Sequence, residues 1–290
     1  MDAHNPARQP ALVSAVTYLR CPVCGSSMSL GGSQLACRRN HSFDVARHGY
    51  VNLRAGRAGP HTGDSAAMVA ARDRFLGRGH YRPLAAAIRS LAAQCDSAGP
   101  GLVLDLAGGT GHYLAEILDA LPRRHGLCID LSVSALRRAA RSHPRAAALA
   151  ADVWQRLPLA AHSTALVLSV FGPRNAAEID RILTADGALI IAVPGTAHLG
   201  ELLRPLGMIG IDPGKPRRIA DAFGSYAMSG VTTVNYPLSL DHADLTALVA
   251  MGPSARHITP QILATRIRAL PDPVTVTVDV QVRACRRRQL

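Results

Sequence analysis

The sequence lacks the features that would place the chain in a membrane or outside the cell. No run of about 18 apolar residues occurs, so no membrane-spanning helix is predicted. The first ten residues, MDAHNPARQP, have no basic segment followed by an apolar one, so no secretory signal is predicted. We therefore expect a cytoplasmic protein with no membrane partner.

Lysine is almost absent, because Lys215 is the only one in 290 residues. Arginine nevertheless makes the chain strongly basic, with 32 Lys and Arg against 20 Asp and Glu and a net charge of +12. An excess of this size favours a polyanionic partner, of which nucleic acid is the commonest. The alternative is a compositional bias toward arginine and alanine without a function.

Cysteine is scarce, and half of it is concentrated in one segment. Of the six cysteines, Cys95, Cys128 and Cys285 are isolated and predict packed thiols rather than disulfides. The others belong to the pattern C-x2-C-x12-C-x3-H, which comprises Cys21, Cys24, Cys37 and His41.

Two close pairs of ligands separated by a dozen residues can converge on one tetrahedral Zn²⁺ ion. The intervening SSMSLGGSQLA predicts a short hairpin turning at Gly31 and Gly32, which favours a zinc ribbon over a helical finger. All four zinc ligands would come from the protein, so the ion would be structural. His48 is a weaker candidate for the fourth ligand. The flanking arginines predict an RNA-contacting face, and the alternative is a module that only packs against the next domain.

Beyond residue 100 the pattern is that of an α/β domain. Apolar strands ending near Asp105, Asp130 and Asp152 alternate with helices, which predicts a doubly wound parallel sheet. The final VTVTVDVQVRAC alternates cleanly and predicts an edge strand of an antiparallel closing pair. We divide the chain into a zinc-ribbon RNA-recognition module (1–58), a linker and helical connection (59–99) and a Rossmann-like domain (100–290).

The segment DLAGGTGHYL indicates the ligand of this domain. Leu114 stands where a dinucleotide-binding fold needs a small residue, and no G-K-[ST] follows the glycines, so neither a dinucleotide site nor a P-loop fits. The glycine loop with Asp105, Asp130 and Asp152 instead predicts a class I methyltransferase that uses S-adenosylmethionine. The alternative is a structural glycine turn with solvated carboxylates. Ala107 replaces the usual first glycine and is expected to be tolerated if its φ is ordinary.

Several motifs together resemble the RlmA-type 23S rRNA (guanine-N1)-methyltransferases over nearly the whole chain. They are CPVCG, CRRNHSFDVARHGYVNL, GDSAAMVAARDRFLGRGHY, LDLAGGTGHYL, DLSVSALRRAAR, FGPRN and PGTAHLGEL. The resemblance is closest to the RlmA(II) branch, which includes the tylosin and mycinamicin resistance enzymes and methylates guanine 748 in hairpin 35. It implies a structural Zn²⁺ held by the cysteine and histidine motif. It also implies contacts from five residues to S-adenosylmethionine: Tyr81, Gly109, Thr110, Asp130 and His198.

The resemblance implies attack of guanine N1 on the methyl carbon, with no covalent enzyme intermediate. Phe171 is a candidate to stack on the base, and Arg174 and Asn175 are candidates to hold its edge or a phosphate. Gly172 replaces the family's alanine, so the shape of this pocket is open. No residue is assigned as the proton acceptor.

Three other functions stay open at this point. The first is the same chemistry at position 745, and the second is methylation of a small molecule such as a macrolide precursor. The third is a zinc-ribbon nucleic-acid-binding regulator with an inactive second domain. The sequence neither supports nor excludes a homodimer.

Overall fold

The computed structural model describes residues 10–54, 62–210, 212 and 214–288, and these residues form a small three-stranded sheet and a large eight-stranded sheet. Residues 55–61, which include the start of the linker predicted from residue 59, and the N-terminal segment MDAHNPARQ lie outside the described residues. No helix in the described part of the chain combines the length and the apolar character that crossing a bilayer requires.

The small sheet is the predicted ribbon. It follows helix α1 (Pro10–Ala15) and a 3-10 turn (Val16–Tyr18), and its strands are β1 (Met28–Gly31), β2 (Gln34–Cys37) and β3 (Ser42–Asp44). Strands β1 and β2 form an antiparallel hairpin in which Gly31 pairs with Gln34, and β3 pairs with β2. The hairpin turn predicted from the glycines is confirmed.

The large sheet has the order β10-β11-β9-β8-β5-β6-β7-β4. Strands β4 to β9 run parallel, whereas β11 runs antiparallel to both β9 and β10. The strands are β4 (Tyr50–Asn52), β5 (Leu102–Leu106), β6 (Gly126–Asp130), β7 (Ala146–Ala150), β8 (Thr164–Val170), β9 (Leu183–Pro194), β10 (Tyr226–Leu240) and β11 (Val274–Arg287).

Two predictions about this sheet are wrong in detail. Strand β11 was expected at the edge, but it pairs on both sides and the edge strand is β10. Alternating burial is compatible with an inner strand whenever one face packs on the core, so the pattern did not distinguish the two positions. The third strand ends at Ala150 rather than at Asp152.

Helices cover both faces of the sheet. The helical connection predicted within residues 59–99 contains two helices, and Gly79 between them adopts the left-handed conformation (φ 80°). The helices after α1 are α2 (Ala66–Gly77), α3 (Arg82–Cys95), α4 (His112–Ala120), α5 (Val133–Ala139), α6 (Ala176–Ile182), α7 (Gly200–Leu206), α8 (Lys215–Ala222), α9 (His242–Ala250) and α10 (Pro260–Arg268). A second 3-10 turn spans Pro253–Arg256.

The hydrophobic core is divided by the sheet into two clusters, because alternate residues of the central strands point to opposite faces. Val103 of β5 packs in the cluster that contains Ile88 of α3, while Leu104 packs in the cluster that contains Leu12 of α1 and Leu35 of the ribbon. The ribbon therefore shares a hydrophobic core with the large sheet and is not a separately folded module.

Candidate active site and zinc centre

The ribbon brings the four predicted metal ligands together on two tight turns. In the first, the backbone N–H of Gly25 donates to the carbonyl of Cys21 (2.8 Å), and Gly25 adopts the left-handed conformation (φ 73°). In the second, the backbone N–H of Asn40 donates to the carbonyl of Cys37 (2.9 Å), with Asn40 also left-handed (φ 61°). Glycine and asparagine are the residues that adopt this conformation most easily.

The geometry of the four side chains fits a tetrahedral Zn²⁺. Their ligand atoms all lie within 4.8 Å of one another. The Sγ atoms of Cys24 and Cys37 are 3.7 Å apart, and Nδ1 of His41 lies 3.6 Å from Sγ of Cys21 and 3.5 Å from Sγ of Cys37. Thiolates about 2.3 Å from a tetrahedral zinc are separated by about 3.8 Å, so these distances match the edges of such a site. Hydrogen bonding to Ser26 lowers the pKa of Cys24 to about 6, which favours the thiolate that zinc binds.

A cavity of about 780 Å³ opens at the carboxyl ends of the parallel strands. This is the edge at which a doubly wound sheet binds its ligand. The five residues predicted to contact the cofactor all line this one cavity: Tyr81, Gly109, Thr110, Asp130 and His198. Asp152 and Phe171 line it as well.

The glycine loop after β5 approaches the neighbouring strands so closely that side chains are excluded. A Cβ atom on Gly108 would lie 2.5 Å from Cγ of Asp105. Gly109 and Gly111 have φ values of 59° and 77°, which L-residues rarely adopt. The loop thus leaves a cradle of bare backbone, as close approach of a nucleoside ligand requires.

Asp130 anchors the glycine loop and can still accept hydrogen bonds from a ligand. Its Oδ2 accepts from the backbone N–H of Gly109 (2.9 Å), and its Oδ1 accepts from the backbone N–H of Ser132 (2.7 Å). A carboxylate offers about four lone-pair positions, so roughly two remain for the hydroxyls of a ribose. Burial raises the pKa of Asp130, and the two backbone donors oppose this effect.

Asp105 is a buried acid with an unsatisfied oxygen. It is 1% exposed at the end of β5, and its Oδ2 has no hydrogen-bond partner among the described residues. Burial, with a smaller contribution from the charge of Asp130, raises the pKa of Asp105 to about 8. An orphaned buried carboxyl in a ligand cavity fits a cationic ligand group such as the ammonium of S-adenosylmethionine.

Three non-glycine residues around the cavity have left-handed backbones. They are Ala107 (φ 53°), Phe171 (φ 54°) and Leu199 (φ 55°), in the loops after β5, β8 and β9. The condition set for Ala107, an ordinary φ, is therefore not met, and its backbone is held in a strained conformation. Residues in such conformations concentrate at functional sites, where the surrounding structure enforces them.

An aromatic cluster forms part of the wall of the cavity. The rings of Phe171 and His198 are stacked at 6.0 Å between centroids, and Tyr81 lies 6.4 Å from Phe171 and 6.3 Å from His198. Nδ1 of His198 accepts the backbone N–H of Asp279 (3.2 Å), which leaves the proton of the neutral ring on Nε2. Burial lowers the pKa of His198 to about 4, so the ring is neutral at physiological pH.

One network at the cavity was not identified from the sequence. The guanidinium of Arg72 pairs with Asp64 (2.6 Å) and donates to the carbonyl of Met251 (3.0 Å), while Arg256 approaches Asp64 (3.6 Å) and donates to the hydroxyl of Thr62 (3.0 Å). These pairs join the segment before α2 to the end of α9. The sequence motif GDSAAMVAARDRF contains Asp64 and Arg72, but the sequence alone did not indicate a role for either residue.

Asn175 is engaged differently from the prediction. Its Oδ1 accepts the backbone N–H of Glu178 (3.3 Å) as the N-cap of α6, and its Nδ2 donates to the carbonyl of Trp154 (3.4 Å). Both ends of the amide therefore make a hydrogen bond within the protein, and these bonds position the loop.

Both the ribbon and the large domain match known protein families. Residues 19–54 match the family model described as RlmA, N-terminal, a zinc ribbon, and residues 103–187 match a methyltransferase domain. A C-methyltransferase of ubiquinone and menaquinone biosynthesis from Syntrophotalea carbinolica is 35% identical, but over only 37% of this chain and 47% of that protein.

Other relatives match along almost the full length. A proposed 23S rRNA (guanine-N(1)-)-methyltransferase of Micromonospora griseorubida is 46% identical over 91% of this chain and 96% of its own. A 23S rRNA (guanine(748)-N(1))-methyltransferase of Streptomyces fradiae is 42% identical over 94% of this chain and 98% of its own. With a zinc ribbon, a methyltransferase fold and this similarity throughout, the chain belongs to the RlmA-type 23S rRNA (guanine-N1)-methyltransferases.

Proposed function

We propose that the chain methylates N1 of guanine 748, in hairpin 35 of 23S rRNA, with S-adenosylmethionine as the methyl donor. The observation that carries the position is the 42% identity, over 94% of the chain, to a relative whose name specifies guanine 748. The small-molecule alternative is weaker, because the C-methyltransferase relative matches only 37% of the chain. The inactive-regulator alternative is disfavoured by the intact glycine cradle and by Asp130.

The cofactor residues proposed are Tyr81, Gly109, Thr110, Asp130 and His198, which share one cavity. S-adenosylmethionine supplies a methyl carbon that is already activated for nucleophilic attack. The protein's contribution is then mainly alignment, which the glycine cradle and the aromatic cluster provide. The spare lone pairs of Asp130 suit ribose hydroxyls, and the unsatisfied oxygen of Asp105 suits an ammonium group.

The target guanine has to leave its stack to enter the cavity, since the donor site is enclosed by protein. Phe171 is the member of the aromatic cluster most accessible to it, because it is 36% exposed and lines the cavity. We assign to Phe171 the role of stacking on the extruded base. Because Nδ1 of His198 is occupied by the backbone N–H of Asp279, its Nε2–H is the donor that the ring can offer to an oxygen in the site.

The zinc ribbon is proposed to hold the RNA while the large domain performs the chemistry. Arg38, Arg39, Arg47 and Arg54 are exposed on it, and Asp44 is the only acid between residues 19 and 54. In this proposal Cys21, Cys24, Cys37 and His41 bind a Zn²⁺ that stabilises the module without taking part in the reaction. We retain the division into residues 1–58, 59–99 and 100–290 as part of the proposal. Because the substrate is ribosomal RNA, we place the activity in the cytoplasm.

Mapping of the methylated nucleotide tests the proposal. N1-methylguanine blocks base pairing, so primer extension on treated 23S rRNA should stop next to guanine 748. A stop at 745 would replace the proposed position with that of the sibling branch, and no stop would refute rRNA methylation at either site. We further propose that methylation in the exit tunnel protects the cell from tylosin- and mycinamicin-type macrolides. Expression in a sensitive strain should raise the inhibitory concentration of these drugs.

A further inference from the structure

Arg174 is a partly buried cation beside the cavity that the proposed function leaves unused. It lies in the loop between β8 and α6 and directly follows Pro173, which lines the cavity. Its Nε and Nη2 atoms are buried, and neither has a hydrogen-bond partner in the part of the chain that the structure describes. Burial lowers the pKa of Arg174 to about 10, so the side chain still carries its charge at neutral pH.

Two buried donors without partners destabilise the guanidinium in the free protein. A buried donor without a partner destabilises the folded chain relative to a hydrogen-bonded one, and the cost is larger when the group is charged. An anionic ligand would remove that cost. The planar fork of arginine matches two oxygens of a phosphate or a carboxylate.

The residues next to Arg174 indicate which anion is involved. Asn175 donates to the carbonyl of Trp154, which ties the Arg174 loop to the loop after β7. Trp154 is the only tryptophan of the chain, lines the cavity and is 47% exposed. An RNA strand offers a phosphate and a stackable base in each nucleotide, which are the two groups that a buried arginine and an exposed aromatic recognise together.

We propose that Arg174 binds a backbone phosphate of the RNA at the mouth of the cavity, beside Trp154. This inference rests on the proposed function, because it assumes that the ligand entering the cavity is RNA. The contact would fix the strand on one side of the target nucleotide while the base enters between the loops. The other available anion is the carboxylate of S-adenosylmethionine, and the experiment below distinguishes the two.

The test is the salt dependence of RNA binding by the full-length variants Arg174→Met and Arg174→Lys. The RNA is a hairpin 35 transcript, or naked 23S rRNA if the wild type methylates another site. Filter binding between 50 and 300 mM KCl gives the slope of log Kd against log[salt], and fluorescence of Trp154 reports the same binding event. One lost phosphate contact reduces the slope by about 0.7 to 0.9.

We expect Arg174→Met to weaken RNA binding roughly 10- to 100-fold and to lower the slope by that amount. Arg174→Lys should keep the slope, because a lysine still neutralises a phosphate, although it binds without the fork. The affinity for S-adenosylmethionine, measured by calorimetry, should be unchanged in both. Arg89→Met is the matched control, since Arg89 is already paired with Glu116 (3.2 Å), and its slope should equal that of the wild type.

An unchanged slope in Arg174→Met overturns the phosphate contact, and so does an equal decrease in Arg89→Met. A loss of S-adenosylmethionine affinity with RNA binding intact assigns Arg174 to the cofactor carboxylate instead. Thermal unfolding and cofactor binding of each variant identify a folding defect. If Arg174→Met has one, the RNA affinity of Arg174→Lys decides, because loss of the fork should weaken binding at an unchanged slope and a wild-type affinity overturns the contact. Failure of the proposed function is separate, because it appears in the wild type as a missing or displaced methylation.

Discussion

Replacing Asp105 by asparagine should make the protein more stable and a poorer binder of its cofactor. The carboxyl is buried at the end of β5, one oxygen has no partner among the described residues, and its pKa is raised to about 8. Asparagine has nearly the same shape but no proton to lose. The substitution therefore isolates the effect of the charge.

The pH dependence of this stability difference follows from proton binding by Asp105. Between pH values near 4 and 8 the folded chain keeps a proton on Asp105 that the unfolded chain releases, because the folded pKa is the higher one. The contribution of this group to stability is fully present below the unfolded pKa and is lost as pH rises toward 8. The loss amounts to about 1.4 kcal/mol per pH unit. Between pH 5 and 7 the Asp105→Asn variant should thus gain about 3 kcal/mol on the wild type.

Urea unfolding followed by circular dichroism at pH 5, 6, 7 and 8 measures this difference. Asp186 is exposed, so Asp186→Asn serves as the control and should show a difference that changes little with pH. Calorimetry with S-adenosylmethionine should show at least tenfold weaker binding to Asp105→Asn, because a charged hydrogen bond is worth about 1.5–3 kcal/mol. A stability difference independent of pH would show that Asp105 is ionised in the folded chain and would refute the reasoning.

Three further outcomes are expected. Ala107→Gly should remove about 1–2 kcal/mol of left-handed backbone strain and cost about 0.4–1 kcal/mol through the larger entropy of the unfolded chain, so urea unfolding should show a gain between zero and about 1.6 kcal/mol; a clear loss would contradict the strain. Cys37→Ser should lose its zinc by metal analysis and reduce rRNA methylation more than tenfold, since such an ion supplies on the order of 10 kcal/mol of folding free energy; unchanged methylation would exclude the role given to the ribbon. Phe171→Ala should lower kcat/KM for RNA by roughly 10- to 100-fold with unchanged cofactor affinity, because stacking is worth about 1–3 kcal/mol per base; equal losses in both would indicate a general collapse of the cavity.

Features encoded by local patterns were predictable from the sequence. The spacing of Cys21, Cys24, Cys37 and His41 predicted a cluster, and the structure brings their ligand atoms together. Strand ends carrying glycines or Asp130 predicted a ligand edge, and a cavity lies there. Each signal lies within a few residues of the feature it specifies, so no knowledge of distant contacts was needed.

Features that depend on distant pairing were not predictable in the same way. Strand β4 has only three residues, Tyr50–Asn52, and its place in the large sheet is set by β7, about a hundred residues later. The conformation of Ala107 likewise depends on the neighbouring strands and not on the residue itself. Arg174 was recognised as a candidate, but its unpaired state follows from burial that only the folded chain shows.

The pairing of β4 gives the ribbon a second role, because it fixes one wall of the active site. The loop after β7 contains Asp152 and Trp154, which line the cavity. At its start, the backbone N–H of Leu53 donates to the carbonyl of Ala150 (2.9 Å). At its end, the backbone N–H of Arg20 donates to the carbonyl of Pro158, and that of Ala160 donates to the carbonyl of Tyr18, both at 2.9 Å.

Both ends of this loop are therefore held by the segments that flank the zinc site. A ribbon that unfolds would release β4 from the edge of the sheet and free the loop at the same time. Loss of zinc should then impair the cavity as well as RNA capture, and the cofactor affinity that remains in Cys37→Ser measures how much of the wall the large domain maintains alone. The ribbon is better understood as a shared support, which presents arginines to the RNA on one side and positions Trp154 and its neighbours on the other.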